Sequence, residues 1–94
     1  MGRYVRGELV RLSGTFEVGE PPVPTDPTVA TLRIREPDGS ESSLTYPGSL
    51  VRDSAGAFHH DLTVDAEGLW AYRFEGTAPA LGANEGKLEV RSDF

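Results

Sequence analysis

The sequence contains no cysteine, which excludes disulfide bonds and thiolate-bound metal ions. It has no long hydrophobic run either, because no segment approaches the roughly 20 apolar residues that a membrane-spanning helix needs. The charged residues at the start of the chain are not followed by the apolar stretch of a signal peptide. These absences predict a protein that is made in the cytoplasm without a signal peptide and that has no membrane partner.

Basic residues are scarce as well. Nine lysines and arginines stand against fifteen aspartates and glutamates, which gives a formal net charge of −6. This balance disfavours free nucleic acid and anionic lipid as partners, because both repel an acidic surface. Leu, Ile, Val and Phe make up 22 of the 94 residues, which is enough for a folded core in one domain, residues 1–94.

The segment 65–76 holds the only tryptophan and is the strongest pattern in the chain. Trp70, Tyr72 and Phe74 alternate with other residues, so an extended strand would place the three rings on one face. A helix would scatter them, because residues two apart do not share a helical face. The pattern predicts a central β-strand whose rings form the middle of the hydrophobic core.

Similar alternation recurs in short segments along the chain and adds Leu32 and Phe58 to the predicted core. The Pro-rich segment 17–27 suits neither a helix nor a central strand, and it predicts a stiff connection between two sheets. Residues 77–85 predict a loop, and no segment predicts a significant helix. About seven short strands separated by turns predict an all-β fold, a two-sheet antiparallel sandwich.

One motif refines the predicted fold. Gly68-x-Trp70-x-Tyr72 lies on the second-last predicted strand, where immunoglobulin-type domains have a Gly-x-Tyr-x-Cys strand. Tryptophan stands in the place of the corner tyrosine, and tyrosine stands in the place of the cysteine. We therefore predict an immunoglobulin-like β-sandwich whose core is held by ring packing instead of a disulfide bond.

Few residues suggest chemistry. His59 and His60 are adjacent on a predicted strand, so their side chains point to opposite faces and are poorly placed to bind one metal ion. His59 and Asp61 share a face, but a third ligand would have to come from a neighbouring strand. No carboxylate pair or serine motif is placed for catalysis. The sequence predicts no enzyme activity, no cofactor and no metal site.

The acidic residues of the predicted turns have a structural interpretation. Asp38, Asp53 and Asp65 precede glycines, so we expect their side chains to accept hydrogen bonds from turn amides. A loop calcium site in an extracellular domain is an alternative, although the spacing is not that of an EF-hand. A further set of charges is interpreted as a solvated sheet face: Arg33, Arg35, Lys87, Glu89 and Arg91.

The first seven residues form a basic and aromatic segment ahead of the first strand pattern. Arg3, Tyr4 and Arg6 belong either to a frayed terminus or half a strand, or to an extended arm, residues 1–7, that binds a partner. With Phe94 at the other end of the chain, these three residues are the candidate partner contacts.

Four turn and core motifs occur in a distinctive order: Asp-Pro-Thr (26–28), Pro-Asp-Gly (37–39), Arg-Asp-Ser-x-Gly-x-Phe (52–58) and Gly-x-Trp-x-Tyr-Arg (68–73). In this order they resemble small immunoglobulin-like structural proteins of tailed bacteriophages and prophages, which are encoded among head and head–tail connection genes. The resemblance extends from about residue 26 to residue 91 and includes no catalytic residues.

The resemblance implies a non-enzymatic virion protein, synthesised in the host cytoplasm, and foremost a capsid decoration or cement protein bound in multiple copies to the head shell. Its partners would be the major capsid protein or neck and tail proteins. One alternative is a head–tail connector, neck or tail-associated protein. An alternative of another class is a carbohydrate-binding or adhesive module, for which Tyr46 is the one candidate aromatic residue on the predicted strands.

Overall fold

The computed structural model describes residues 2–91 of the 94-residue chain, with side chains from residue 3 onward. This part of the chain forms ten β-strands and no helix. Accordingly, it contains no helix of the length and apolar character that crossing a membrane requires. The strands are β1 (Gly2–Val5), β2 (Leu9–Thr15), β3 (Glu17–Val18), β4 (Val23–Pro24), β5 (Ala30–Arg35), β6 (Glu41–Tyr46), β7 (Val51–Ser54), β8 (Ala57–Thr63), β9 (Gly68–Gly76) and β10 (Gly82–Arg91).

Eight of these strands form two sheets. The larger sheet has the order β1-β10-β9-β5-β6, and the smaller has the order β2-β8-β7. The strands β3 and β4 form a separate small hairpin. All pairings are antiparallel except the parallel pairing of β1 with β10. Inward-facing residues of both sheets share one hydrophobic core, so the predicted all-β, two-sheet fold class is confirmed.

The core takes side chains from both sheets at alternating strand positions. Leu12 on β2 and Phe58 on β8 face Leu32 and Ile34 on β5, and all four are at most 3% exposed. Every buried side chain in the described residues is hydrophobic. Full burial of one such side chain contributes about 1.5–3 kcal/mol. The interior therefore holds the two sheets together without any buried ion pair.

The aromatic strand β9 contributes two fully buried rings and one partly buried ring. Trp70 is 3% exposed and Phe74 is 0% exposed, whereas Tyr72 is half-buried and packs against the rim of the core. The ring of Tyr72 lies over Gly86 on the neighbouring strand, so a side chain at Gly86 would collide with it. The prediction that all three rings form the middle of the core is therefore corrected for Tyr72, because its ring lies over Gly86 toward β10.

Trp70 also makes a polar contact. Its indole Nε1–H donates a hydrogen bond of 3.0 Å to the carbonyl oxygen of Ala66, four residues upstream. A buried indole needs such an acceptor, because an unpaired N–H would be costly to bury. The contact fixes the entry of the chain into β9.

Close packing between the sheets depends on Gly14. This residue lies within β2, opposite Phe58 in the ladder. A Cβ atom at this position would lie 2.5 Å from the ring of Phe74 on the other sheet. Glycine is needed here because the ring of Phe74 approaches the backbone of β2 directly.

Three boundaries differ from the predictions. Residues 77–85 were predicted as a loop, but β10 begins at Gly82 and pairs with β9 along its whole length. The first half of β10 has no alternation of apolar and polar residues. Its pairing with β9 is made by backbone hydrogen bonds, which do not depend on such alternation. The count rises from about seven strands to ten because the segment 17–27, which connects the smaller sheet to the larger, contains β3 and β4, and because β1 is a strand.

Candidate interaction surface

Residues 2–5 form an edge strand instead of a free arm. Tyr4 on β1 pairs with Val90 on β10, and the backbone N–H of Arg6 donates to the carbonyl oxygen of Arg91 at 2.8 Å. Tyr4 is partly buried against the core. The interpretation of this segment as an extended arm is therefore wrong for residues 2–5, although Arg3 and Arg6 are exposed at the sheet edge. Phe94 lies outside the described residues.

The outer face of the larger sheet contains a shallow groove with a volume of about 490 Å³. Its floor is the backbone of Ile34, Tyr72 and Gly86, which pair side by side on β5, β9 and β10. The groove crosses the strands from β6 to β10. Three inter-strand spacings of about 4.8 Å give it a length of about 14 Å.

Charged side chains form both walls of this groove. They come from two cross-strand rows, Glu41–Arg35–Ala71–Lys87 on one side and Arg33–Arg73–Glu85 on the other. Four cations and two carboxylates therefore line the groove, whereas the whole chain has a formal net charge of −6. We call these seven residues and their floor the cationic groove.

Two arginines of the groove stand directly opposite each other, Arg33 on β5 and Arg73 on β9. Like charges in this position destabilise a sheet. Both side chains approach Glu75: Arg33 Nη1 lies 3.6 Å from Oε1, and Arg73 Nε donates to Oε2 at 3.2 Å. Arg73 also donates to Glu85. The two arginine side chains are 55% and 44% exposed, so water reaches all of these ion pairs.

The other wall differs in how its cations are paired. Arg35 Nη2 donates to Glu41 Oε2 at 2.9 Å. Across residues 2–91 the ammonium group of Lys87 has no hydrogen bond or ion pair with another side chain. Ala71 stands between them and is small, so the wall is low at its centre. The groove is therefore open from this side.

The outer face of the smaller sheet has a different arrangement. Arg11 donates two hydrogen bonds to Asp61 across the pairing of β2 with β8, at 2.8 and 3.2 Å. His59 Nδ1 lies 2.7 Å from both carboxylate oxygens of Asp53. Each basic side chain on this face therefore has its own carboxylate.

Among residues 2–91, His59, Asp53 and Ser13 form the grouping that comes nearest to a catalytic arrangement. Ser13 pairs directly with His59 in the ladder, so the two side chains share a face. However, the hydroxyl group of Ser13 makes no hydrogen bond to the imidazole in the described structure, and a nucleophile needs that contact with its base. Within the same residues, no three His, Asp or Glu side chains are grouped to hold a metal ion.

Residues from two of the sequence motifs meet beside the turn between β7 and β8. Arg52 Nε donates to both carboxylate oxygens of Asp26 at 3.1 and 3.0 Å, and the backbone N–H of Gly56 donates to Asp26 Oδ1 at 2.8 Å. The carbonyl oxygen of Gly56 accepts a hydrogen bond from the N–H of Phe16 at 2.7 Å. We call Asp26, Arg52 and Gly56 the inter-sheet joint, because it ties the connection between the sheets to the smaller sheet.

Three carboxyl groups have a pKa below the ordinary value of 3.8. For Asp26 the main cause is the hydrogen bond from Arg52, followed by that from the amide of Gly56. For Asp61 the main cause is the hydrogen bond from Arg11. For Asp38 it is the backbone amide of Ser40, at 2.9 Å, which is the turn contact expected from the sequence. In each case the partner stabilises the ionised form.

Tyr46, the candidate for a sugar-binding face, belongs to the packing of the core. Its ring centroid lies 5.2 Å from that of Phe58. The side chain is partly buried against the core cluster. Tyr46 therefore does not offer a free ring on which a sugar could stack, and the carbohydrate-binding alternative loses its motivating residue.

The cationic groove was not predicted as a site. Arg33, Arg35 and Lys87 were interpreted as part of a solvated face, and Arg73 was noted only as the last residue of the Gly-x-Trp-x-Tyr-Arg motif. The available signal was that all four basic residues occupy outward positions of predicted strands. What was missing was the register that brings β5, β9 and β10 together.

No protein-family model, no curated protein and no solved structure matches this chain. The fold and the surfaces described above are therefore the basis for a functional proposal.

Proposed function

We propose that this chain is a non-enzymatic structural β-sandwich that attaches in multiple copies to a larger particle, the head shell of a tailed bacteriophage. The observation that carries the proposal is the separation of its side chains: those that are buried in residues 2–91 are hydrophobic, and the charged groups of the same residues lie at the surface. Catalytic groups act in clefts that exclude water and shift their pKa values. Open faces that carry charge are instead suited to contact with surfaces of complementary charge on other proteins.

The immunoglobulin-like type is part of this proposal. In immunoglobulin folds, strands B, E and D share one sheet and strands C, F and G share the other. The orders β2-β8-β7 and β10-β9-β5 correspond to B-E-D and G-F-C. The hydrogen bond from Trp70 to the carbonyl oxygen of Ala66 supports it further, because a corner tyrosine makes the equivalent contact to upstream backbone.

Attachment in many copies lowers the affinity that each single contact must supply. Repeated sites on a symmetric shell add their contributions, so a small exposed face is sufficient for stable decoration. The motif order described from the sequence supports the phage particle as the assembly in question.

The experiment is quantitative mass spectrometry of particles purified from cells that carry the gene. We expect the protein in multiple copies per particle, and we expect the gene beside those for terminase, portal and capsid proteins. Absence from purified particles would refute the proposal. Immunogold labelling of the same particles distinguishes a shell position from a neck or tail position, because only the shell gives label over the whole head.

Rebinding provides the matched control. Particles made without this gene, when mixed with the purified protein, should take it up to a saturating copy number. Uptake that rises without saturation would indicate nonspecific adhesion. An unrelated acidic protein of similar size should not bind.

A further inference from the structure

We propose that the cationic groove binds a short, extended acidic segment of the partner protein. This inference rests on the proposed function and names the chemistry of its contact. The occupant is a run of about four aspartates or glutamates, one for each extended residue of about 3.4 Å along the groove.

The first argument is charge. The groove has four cations and two carboxylates, which leaves five basic and thirteen acidic side chains for the rest of the chain. A cationic depression on an otherwise acidic protein attracts anions locally. Arginine is the residue best suited to such a role, because its guanidinium group binds a carboxylate through two parallel hydrogen bonds.

The second argument is geometry. The two walls arise from strand positions two residues apart, so they are separated by about 6.8 Å. Successive side chains of an extended segment point to opposite sides. A segment lying along the groove would therefore direct alternate carboxylates to Arg33 and Arg73 on one wall and to Arg35 and Lys87 on the other.

The third argument is that the cations are available. The carboxylates that now contact Arg33, Arg35 and Arg73 are themselves exposed, and surface ion pairs are weak. Lys87 has no such partner within residues 2–91. Glu75 already contacts the directly opposed Arg33 and Arg73, but both guanidinium groups remain about half exposed, so a further carboxylate can approach them from solvent.

The length of the groove distinguishes the occupant from a nucleic acid. A groove of about 14 Å matches a short acidic segment, whereas a longer polyanion would continue onto the surrounding acidic surface and be repelled. The backbone floor also offers no exposed aromatic ring on which bases could stack, which single-stranded nucleic acid requires.

The test is a titration of the purified, isotopically labelled protein with a capped hexaglutamate peptide, followed by backbone amide NMR signals. We expect shifts concentrated at Ile34, Tyr72 and Gly86, the floor of the groove. The double variant Arg33→Gln/Arg73→Gln should weaken binding about tenfold. Binding should also disappear in high salt, because exposed charges are screened over a few ångströms there.

Two single variants make the test sharper. Glu85→Gln removes a carboxylate that competes for Arg73, so it should tighten peptide binding about threefold. Arg11→Gln is the matched control, because Arg11 is an exposed arginine paired with a carboxylate on the opposite sheet. It should leave binding unchanged. Equal weakening by Arg11→Gln would show attraction to the protein as a whole and overturn the inference.

Other outcomes separate this inference from the proposed function. If hexaglutamate shifts no groove signals and the double variant decorates particles normally, the groove inference fails and the structural role stands. If the peptide binds as expected but the protein is absent from particles, the role fails and the groove stands. A single-stranded oligonucleotide that binds more tightly than the peptide, through Arg33 and Arg73, would overturn the acidic segment as the occupant.

Discussion

Arginine meets carboxylate both in the inter-sheet joint and in the cationic groove, and the two regions use this contact in opposite ways. In the joint, Asp26 accepts hydrogen bonds from Arg52 and from the backbone amide of Gly56. The two opposite charges balance each other, and the turn between β7 and β8 is held in place. In the groove, cations outnumber carboxylates, and Arg33 faces Arg73 across the ladder.

This difference indicates which charges belong to the fold and which are available to a partner. Where a carboxylate pairs with one cation and also accepts a backbone hydrogen bond, removing that carboxylate removes a structural restraint from the fold. Removing one member from a row of exposed charged side chains costs little stability, because the remaining side chains stay hydrated with or without that neighbour. The joint should therefore govern stability and the groove should govern binding.

The most severe test of the joint is Gly56→Ala. Gly56 has a φ of +72°, and a Cβ atom there would collide with the carbonyl oxygen of Phe16 and lie 2.8 Å from the backbone nitrogen of Thr25. We expect a loss of about 2–4 kcal/mol in the free energy of unfolding, measured by urea denaturation. Gly39→Ala is the matched control, since Gly39 has a φ of +92° and no atoms within 4 Å of the added Cβ. It should lose only about 1 kcal/mol. Equal losses would show that the joint is not tightly packed.

A smaller effect is expected from Asp26→Asn. The asparagine oxygen still accepts the amide of Gly56, but the charge that pairs with Arg52 is gone. The urea midpoint at pH 7 should fall, by less than it does for Gly56→Ala. Glu85→Gln, which removes a carboxylate from the groove, should leave the midpoint unchanged. A larger fall for Glu85→Gln than for Asp26→Asn would reverse the comparison between the two regions.

Acid should expose the same restraint. The pKa of Asp26 is lowered in the folded protein, chiefly by Arg52, so its ionised form stabilises the fold above the ordinary value of 3.8. That contribution is lost as the pH falls from 3.8 toward the lower folded pKa. Urea denaturation between pH 7 and pH 2 should show a steeper loss of stability below pH 3.8 for the wild-type protein than for Asp26→Asn. Parallel curves would mean that Asp26 does not contribute.

The smallest effect on stability is expected from the double variant Arg33→Gln/Arg73→Gln. Both side chains are about half exposed, and their removal also ends the repulsion between them. The free energy of unfolding should change by no more than about 0.5 kcal/mol, in the same urea experiment. A loss above about 1 kcal/mol would show that the groove arginines are structural, and the distinction drawn here would no longer hold.

Alternation of residue types was sufficient to predict about seven of the ten strands and most of the core. Leu32, Phe58, Trp70 and Phe74 were predicted in the core and are buried. Their burial was predictable because a strand that packs on one side alternates apolar and polar residues with a period of two. The same rule cannot detect the first half of β10, where glycine, alanine and asparagine provide no contrast between faces.

The two charged regions were beyond prediction for a different reason. Asp26 and Arg52 were both noted as parts of motifs, but their contact depends on how the connection between sheets passes the β7–β8 turn. The groove depends on the register of β5, β9 and β10, and a shift of one residue would turn its cations inward. Similarly, the parallel pairing of β1 with β10 joins opposite ends of the chain and leaves no local pattern.

The position of the sole tryptophan gives the protein a built-in optical probe. The indole of Trp70 is 3% exposed on the inner side of β9, whereas Arg73 projects from the outer side of the same strand. In the native state its fluorescence should be shielded from dissolved quenchers, and it should change on unfolding. Binding of a ligand in the cationic groove should leave it unchanged. One emission spectrum can therefore distinguish a variant that is unfolded from a variant that is folded but no longer binds its partner.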